Sequence, residues 1–219
     1  ANGQFPAGGT GSTQHGTVGM GTTGTPVQWI GTGSTADGAW FAVDGEGQGA
    51  IDFYACNGTT AFYPGSGVYM AGTASDARDN LSAYYTARFP GGQTAPSAQL
   101  SDSRQAGSLE AGTIGFAWRQ IMLTRQGSTV EWFIDGHKIA SVPEASLPGN
   151  KFFIGYWDSY ASLSDNTNMS FGMIDNVKFE VYVTNVPPYI LSQPAGQSVK
   201  EGASATFTVQ AGGTATLGY

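Results

Sequence analysis

Cysteine is nearly absent from this 219-residue chain: Cys56 is the only one, so no intrachain disulfide can form and a disulfide framework is excluded. Histidine is scarce as well. His15, His137 and Cys56 lie far apart and share no ligand spacing, which argues against the ordinary zinc sites. Neither histidine accompanies a nucleophile signature, so a Ser–His–Asp site is not supported. Charge is low: Asp, Glu, Lys and Arg make up 11% of residues, under half of the usual ~25%. Acidic residues outnumber basic ones 16 to 9, a net charge of -7. That sign disfavours nucleic acid and anionic lipid as partners, and leaves divalent cations and neutral glycans compatible. No stretch approaches the ~18 continuous apolar residues of a membrane span, so no membrane insertion is expected. The Gly-rich start is not followed by Lys-Ser/Thr and is not a phosphate loop. No signal peptide is visible and the first residue is not Met, as expected of a processed form or of part of a longer protein.

Apolar residues make up 40%, enough for a core, and the 33 glycines are about twice average usage. Runs of helix-forming Glu, Lys, Leu and Ala are missing. Turn-rich, Thr-rich and aromatic-rich sequence of this kind predicts an all-β protein. "STQHGTVGM", "DGAWFAVDGEG" and "AIDFYACNG" read as strands, and Cys56 in the last of these as a small buried hydrophobe. Residues 59–112 are loop-rich, with short strands expected in "FYPGSGVYMAG" and "LSAYYTARF" and one helical turn in "SDARDNLSAYY". From 113 the strand candidates are "TIGFAWRQIMLTR", "TVEWFI", "HKIASV", "KFFIGYW" and "IDNVKFEVYV". "VPPYILSQPAGQ" reads as a linker, and "SVKEGASATFTVQA" resumes a strand pattern. Asn57, Asn80 and Asn168 begin N-x-S/T sequons.

The segment "TVEWFIDGHKIASV", residues 129–142, gathers Glu131, Asp135 and His137, side chains from which hydrolase sites are built. Asp135-Gly136 between two alternating runs is the strongest short-range signal for a two-residue hairpin loop. Ile134 then faces His137, Phe133 faces Lys138, Trp132 faces Ile139 and Glu131 faces Ala140. Val130, Trp132, Ile134 and Ile139 share one face; Glu131, Phe133 and Lys138 share the other, with Glu131 and Lys138 close enough for an ion pair. Glu131 and Asp135 lie four residues apart, about 13 Å along a strand, whereas glycosidase carboxylates sit roughly 5–9.5 Å apart. The segment is a hairpin, with Asp135 in its turn and His137 at a strand end.

"FAWRQIMLTRQGSTVEWFIDGHKIASV" resembles the central hairpin of laminin G-like domains, which are concanavalin A-like jelly rolls. "FIGYW…FGMIDNVKFEV" resembles the last strands of the same fold. The resemblance is best over residues 113–183. "PPYILSQPAGQSVKEGASATFTVQAGGTATLGY" resembles the first third of a bacterial immunoglobulin-like domain. Together these imply a two-sheet antiparallel β-sandwich over 1–184, then a linker and the N-terminal part of an immunoglobulin-like module over 185–219. The family includes glycan binders, adhesion modules, calcium-dependent modules and enzymes, so fold alone does not decide function.

The acidic E-x-D-x-x-E motif of concanavalin A-like glucanases is missing. Asp44 and Glu46, with Asp37 and Asp52 nearby, read as a solvated turn, an oxygen-ligand calcium site or, least of all, a catalytic pair. Alternation in "IDNVKFEVYV" puts Asp175 with Val177, Phe179 and Val181, so this carboxylate is expected to face the core and to need backbone N–H partners or a metal. The resemblance adds structural calcium near this strand. In "KFFIGYWDSY", Phe152, Ile154 and Tyr156 share one face and Phe153 and Trp157 the other. If exposed, Phe153 and Trp157 are flat platforms beside Asp158 and Tyr160, a ligand-binding surface.

The expected function is a non-catalytic, extracellular (secreted or cell-surface) module that binds a glycan or another extracellular ligand. The alternative is a structural subunit of a fibre or surface layer; a polysaccharide hydrolase or lyase comes last. A fragment as short as 185–219 is also expected to pair residues 203–211 with a sheet edge outside itself, in the main sandwich or in a second copy.

Overall fold

The computed structural model describes residues 13–26, 33–45, 52–63, 65–72, 80–94, 108–159, 172–181 and 187–214. The strands are β1 (Thr13–Thr22), β2 (Ala39–Asp44), β3 (Phe53–Asn57), β4 (Thr60–Phe62), β5 (Tyr69–Met70), β6 (Ile121–Gln126), β7 (Thr129–Ile134), β8 (His137–Val142), β9 (Lys151–Ser159), β10 (Tyr189–Ser192) and β11 (Gln210–Gly212). All pair antiparallel. The one helix among the described residues is α1 (Ala83–Thr86), a single turn. The Ser82 side chain caps it by accepting from the Tyr84 N–H. The chain is therefore all-β. Its contacts divide it into two compact units, Ala1–Met173 and Ile174–Tyr219.

The first unit holds a five-stranded sheet in the order β4-β3-β2-β1-β9 and a four-stranded sheet in the order β5-β8-β7-β6. One core joins them. Ala39, Phe41 and Val43 of β2 and Phe53 and Ala55 of β3 meet Val130, Trp132 and Ile134 of β7 and Ile139, Ala140 and Val142 of β8. An aromatic stack runs through it. Trp132 stacks on Phe41 at 5.3 Å between ring centroids, and Phe53 on Tyr85 at 3.8 Å. The alternation of β7, with 130, 132 and 134 inward, is the period-2 pattern of a half-buried strand. β2 is different: all six of its residues are buried. Its second face carries Trp40 and Ala42, which cluster with Ala36, Tyr54 and Cys56. Cys56 is thus the small buried hydrophobe that its setting suggested.

The hairpin forms as read, with one change. Asp135 (φ 50°) and Gly136 (φ 77°) both take left-handed backbone, the requirement of a type I′ turn. Ile134 pairs with His137 and Phe133 with Lys138; then the register shifts, so Trp132 pairs with Ala140 and Glu131 with Ser141. The expected Trp132–Ile139 and Glu131–Ala140 pairs are corrected by this bulge, which leaves both Ile139 and Ala140 buried.

Four strand assignments are also corrected. "LSAYYTARF" holds the α1 turn and no strand, because Ser82 supplies a helix cap. Residues 113–120 precede β6 outside any strand; Phe116 has φ 50°, which breaks an extended run. Residues 172–181 form no strand and are exposed, with Asn176 at φ 54°. In the second unit, the expected linker contains β10, which pairs with β11: Tyr189 with Gly212, Ile190 with Ala211 and Ser192 with Gln210. Residues 203–209 are exposed and belong to no strand. Gln210 and Ala211 thus pair within their own fragment, and residues 203–209 form no ladder with the main sandwich of this chain. A turn at Glu201-Gly202, with Gly202 at φ 81° and the Ala203 N–H on the Lys200 carbonyl, precedes a strand that returns to β10.

Candidate functional site

Of the platform residues expected on "KFFIGYWDSY", the structure describes the side chain of Phe153 alone. Phe153 lies opposite Gly19 in β1, which lies opposite Trp40 in β2. Its ring is half-buried against the Trp40 cluster. A Cβ on Gly19 would run into the Phe153 ring and come within 2.6 Å of the Trp40 Cβ, so the glycine lets the ring lie across β1. Phe153 is a packing residue, whereas Phe152, Ile154 and Tyr156 of β9 are exposed large hydrophobics. Trp157 and Asp158 pair with His15 and Gln14 along the β1–β9 ladder; their side chains, and Tyr160 altogether, lie outside the described residues.

The acidic residues are also redistributed. Asp44 is buried at the end of β2, facing His15 of β1, and its N–H donates to the Asp52 carbonyl at 2.8 Å. It is no solvated turn residue. Glu46 lies outside the described residues. Asp37 is taken up in the β1–β2 connection, where its carboxylate accepts from the Thr22 hydroxyl and from the N–H and hydroxyl of Thr23. Asp175 is corrected outright: it is exposed, and its carboxylate accepts from the Asn176 N–H at 2.7 Å. With no strand there, no core face exists for it to join. Among the described residues, no group of three or more His, Cys, Asp or Glu is placed to hold a metal ion. Asp52 accepts from the Asn80 N–H at 2.7 Å, and Asn80 is itself buried, with its side-chain N–H on the Ala111 carbonyl.

His15 is fully buried, edge-on to Tyr54 with ring centroids 5.1 Å apart. Burial pulls its pKa down from 6.5 to about 4. Packed edge-on against Tyr54 inside the sheet surface, the imidazole is held neutral at pH 7 by its burial.

The side chains that do come together lie on the outward face of the four-stranded sheet. Glu131 of β7 pairs with the Lys138 ammonium of β8, the ion pair the sequence suggested. Ser141 donates to the same carboxylate at 3.3 Å. Tyr69 of β5 lies opposite Ser141; the residue is 46% exposed, and the Lys138 ammonium lies 5.3 Å from its ring centroid. Tyr84 of α1 donates its hydroxyl to the Lys138 carbonyl at 2.6 Å. Burial, and then the neighbouring Tyr69, raises the pKa of that hydroxyl. Arg88 lies flat over the Tyr84 ring at 3.6 Å from its centroid, and its Nη1 donates to the Tyr84 carbonyl at 2.9 Å. An aromatic ring thus stands among fixed polar groups, the composition of a small-ligand site. Chemically, the face can stack a ring and offer charged hydrogen bonds. It offers no carboxylate pair for hydrolysis: Glu131 is held by Lys138, and Asp135 by Arg119 at 2.9 Å.

Only Glu131 and Lys138 of this face were singled out from sequence. The missed signal is "YYTAR", in which Tyr84 and Arg88 stand four apart, the spacing at which side chains meet on a helical turn. Tyr69 and Ser141 carried no signal, because their meeting depends on β5 pairing with β8 across seventy residues of chain.

No protein-family model, no curated protein and no solved structure matches the chain.

Proposed function

We propose that the chain is a non-catalytic binding module of the laminin G-like, jelly-roll β-sandwich type, followed by the start of an immunoglobulin-like module, in a secreted or cell-surface protein. It recognises a glycan on the outward face of the four-stranded sheet. The observation that carries this reading is the exposed Tyr69 ring, framed by Lys138, Ser141 and Tyr84. Sugar rings present apolar C–H faces that stack on aromatic rings while their hydroxyls take fixed polar partners. The engaged states of Glu131 and Asp135 favour binding over hydrolysis. Tyr69→Ala should abolish retention on a glycan array or in an affinity gel and leave the melting curve unchanged. Retention equal to that of the parent protein would sink the assignment of the face.

A structural calcium belongs to this reading at Asp44, whose neighbour across the ladder is Asp52. Two carboxylates are fewer donors than the six to eight oxygens calcium takes, so backbone carbonyls or water would complete the shell.

A second reading, a subunit of a fibre or surface layer, draws on β9. This nine-residue strand stands last in the sheet order and exposes Phe152, Ile154 and Tyr156. Such an edge is a template for pairing with another chain. Concentration-dependent polymers under the electron microscope favour it; a monomer at millimolar concentration ends it.

A further inference from the structure

We propose that the face around Tyr69 takes a saccharide bearing a carboxylate, a hexuronate, and that Arg88 holds that carboxylate. The inference rests on the glycan-binding reading of the same face and adds the ligand's chemical class.

Three cations of the described residues are engaged with anions. Lys138 pairs with Glu131, Arg119 with Asp135 and Lys178 with Glu180. Arg88 has no acidic partner among the described residues: Nη1 donates to the Tyr84 carbonyl, and the guanidinium rests on the Tyr84 ring. A guanidinium stays charged at every accessible pH and presents donors in a rigid fork. In the proposed complex the donors not used on the Tyr84 carbonyl meet the carboxylate, whose two oxygens match parallel N–H donors. The stacking and the carbonyl bond hold the guanidinium before a ligand arrives, so less ordering remains to be done on binding. Tyr84 lies between this group and the sugar platform: its ring carries Arg88, its hydroxyl meets the Lys138 carbonyl, and the Lys138 ammonium lies 5.3 Å from the Tyr69 ring centroid. In the proposed complex the saccharide reaches from Tyr69 across Tyr84 to Arg88.

The chain's charge of -7 opposes an anionic ligand at long range. Over about 8–10 Å, the screening length at physiological salt, the local guanidinium outweighs it.

The test is calorimetric titration of the whole chain with a galacturonate hexasaccharide, its methyl ester, a neutral glucose hexasaccharide and hexaglutamate. The acid should bind roughly tenfold or more tightly than its ester. Arg88→Gln should remove that preference, bringing the affinity for the acid down to that for the ester. Arg88→Lys should restore only part of it, since an ammonium cannot bind two oxygens in parallel. Tyr69→Ala should weaken acid and ester alike. Equal affinity for acid and ester overturns the role of Arg88 and leaves the glycan-binding face standing. Hexaglutamate binding as tightly as the acid overturns the saccharide. No binding of any saccharide overturns the face itself, and this inference with it. The ester comparison uses the unaltered protein, so it decides even if a variant fails to fold.

Discussion

Lowering the pH from 7 to 4 should destabilise the first unit through one side chain, His15. The imidazole is fully buried, and burial lowers its pKa from 6.5 to about 4. In the unfolded chain it takes up a proton as pH falls through about 6.5. In the folded chain it does so only near 4. Between those values the unfolded state binds more protons, so folding loses stability as pH falls, and the loss is complete below about 4. At about 1.4 kcal/mol per pH unit, the gap amounts to roughly 3 kcal/mol. Carboxylates also contribute to acid denaturation, so the measurement is a difference: denaturant unfolding of the parent protein and of His15→Phe at half-unit intervals from pH 7.5 to 4. The variant cannot titrate there and should show a shallower decline, with the two curves diverging by about 3 kcal/mol across the window. NMR titration of the imidazole should report the same low pKa directly. Parallel stability curves, or an imidazole titrating at or above 6.5, would refute the reasoning. They would mean that Asp44, opposite His15 on β2, holds the imidazole as a cation.

Other outcomes follow from packing. Trp132 is 1% exposed, and its indole N–H has no acceptor. Trp132→Phe should therefore cost only about 1 kcal/mol, since it removes a buried unsatisfied donor, whereas Trp132→Ala should cost ~3–5 kcal/mol by urea unfolding. Gly19→Val should cost more than ~2 kcal/mol or abolish folding, because a Cβ there meets Phe153 and Trp40; a neutral result would place Phe153 elsewhere. Glu131→Gln should cost under about 1 kcal/mol, as both partners of its ion pair keep 30% or more of their side-chain surface in water. Excess chelator should lower the melting temperature through loss of calcium at Asp44, by mass action; an unmoved curve removes calcium from the module.

The strands that could be read from sequence are those whose partners lie close along the chain or whose faces differ sharply. The hairpin of β7 and β8 announced itself because turn chemistry and alternation agree over fourteen residues. β2 was legible as a strand but not as one buried on both sides. A run such as Ala39–Asp44 looks the same whether its second face meets water or Tyr54 and Cys56. The same ambiguity left open which face of β9 is covered. Phe153 finds cover only because Gly19 and Trp40 come from other strands, a relation that alternation within β9 cannot contain. At Asp175, alternation was followed across Asn176, whose left-handed backbone ends the pattern that the letters continue. Of the candidate face, the Glu131–Lys138 pair was legible through its hairpin, and Tyr69 was not, since only the closed sheet brings it there.

The burial of β2 on both faces bears on how the molecule moves. β2 is also paired on both edges, with β1 and β3. Its amides have no route to solvent that leaves the sheet standing, so their hydrogen exchange should occur only by global opening and report the full unfolding free energy. β10 and β11 form a two-stranded ladder with mostly exposed residues, and ladders of that size are marginal in water. Their amides should exchange by local fraying, faster by orders of magnitude and insensitive to mutations in the first unit. A proton-exchange map of the chain would then read as a clock with two hands, the slow one set by β2.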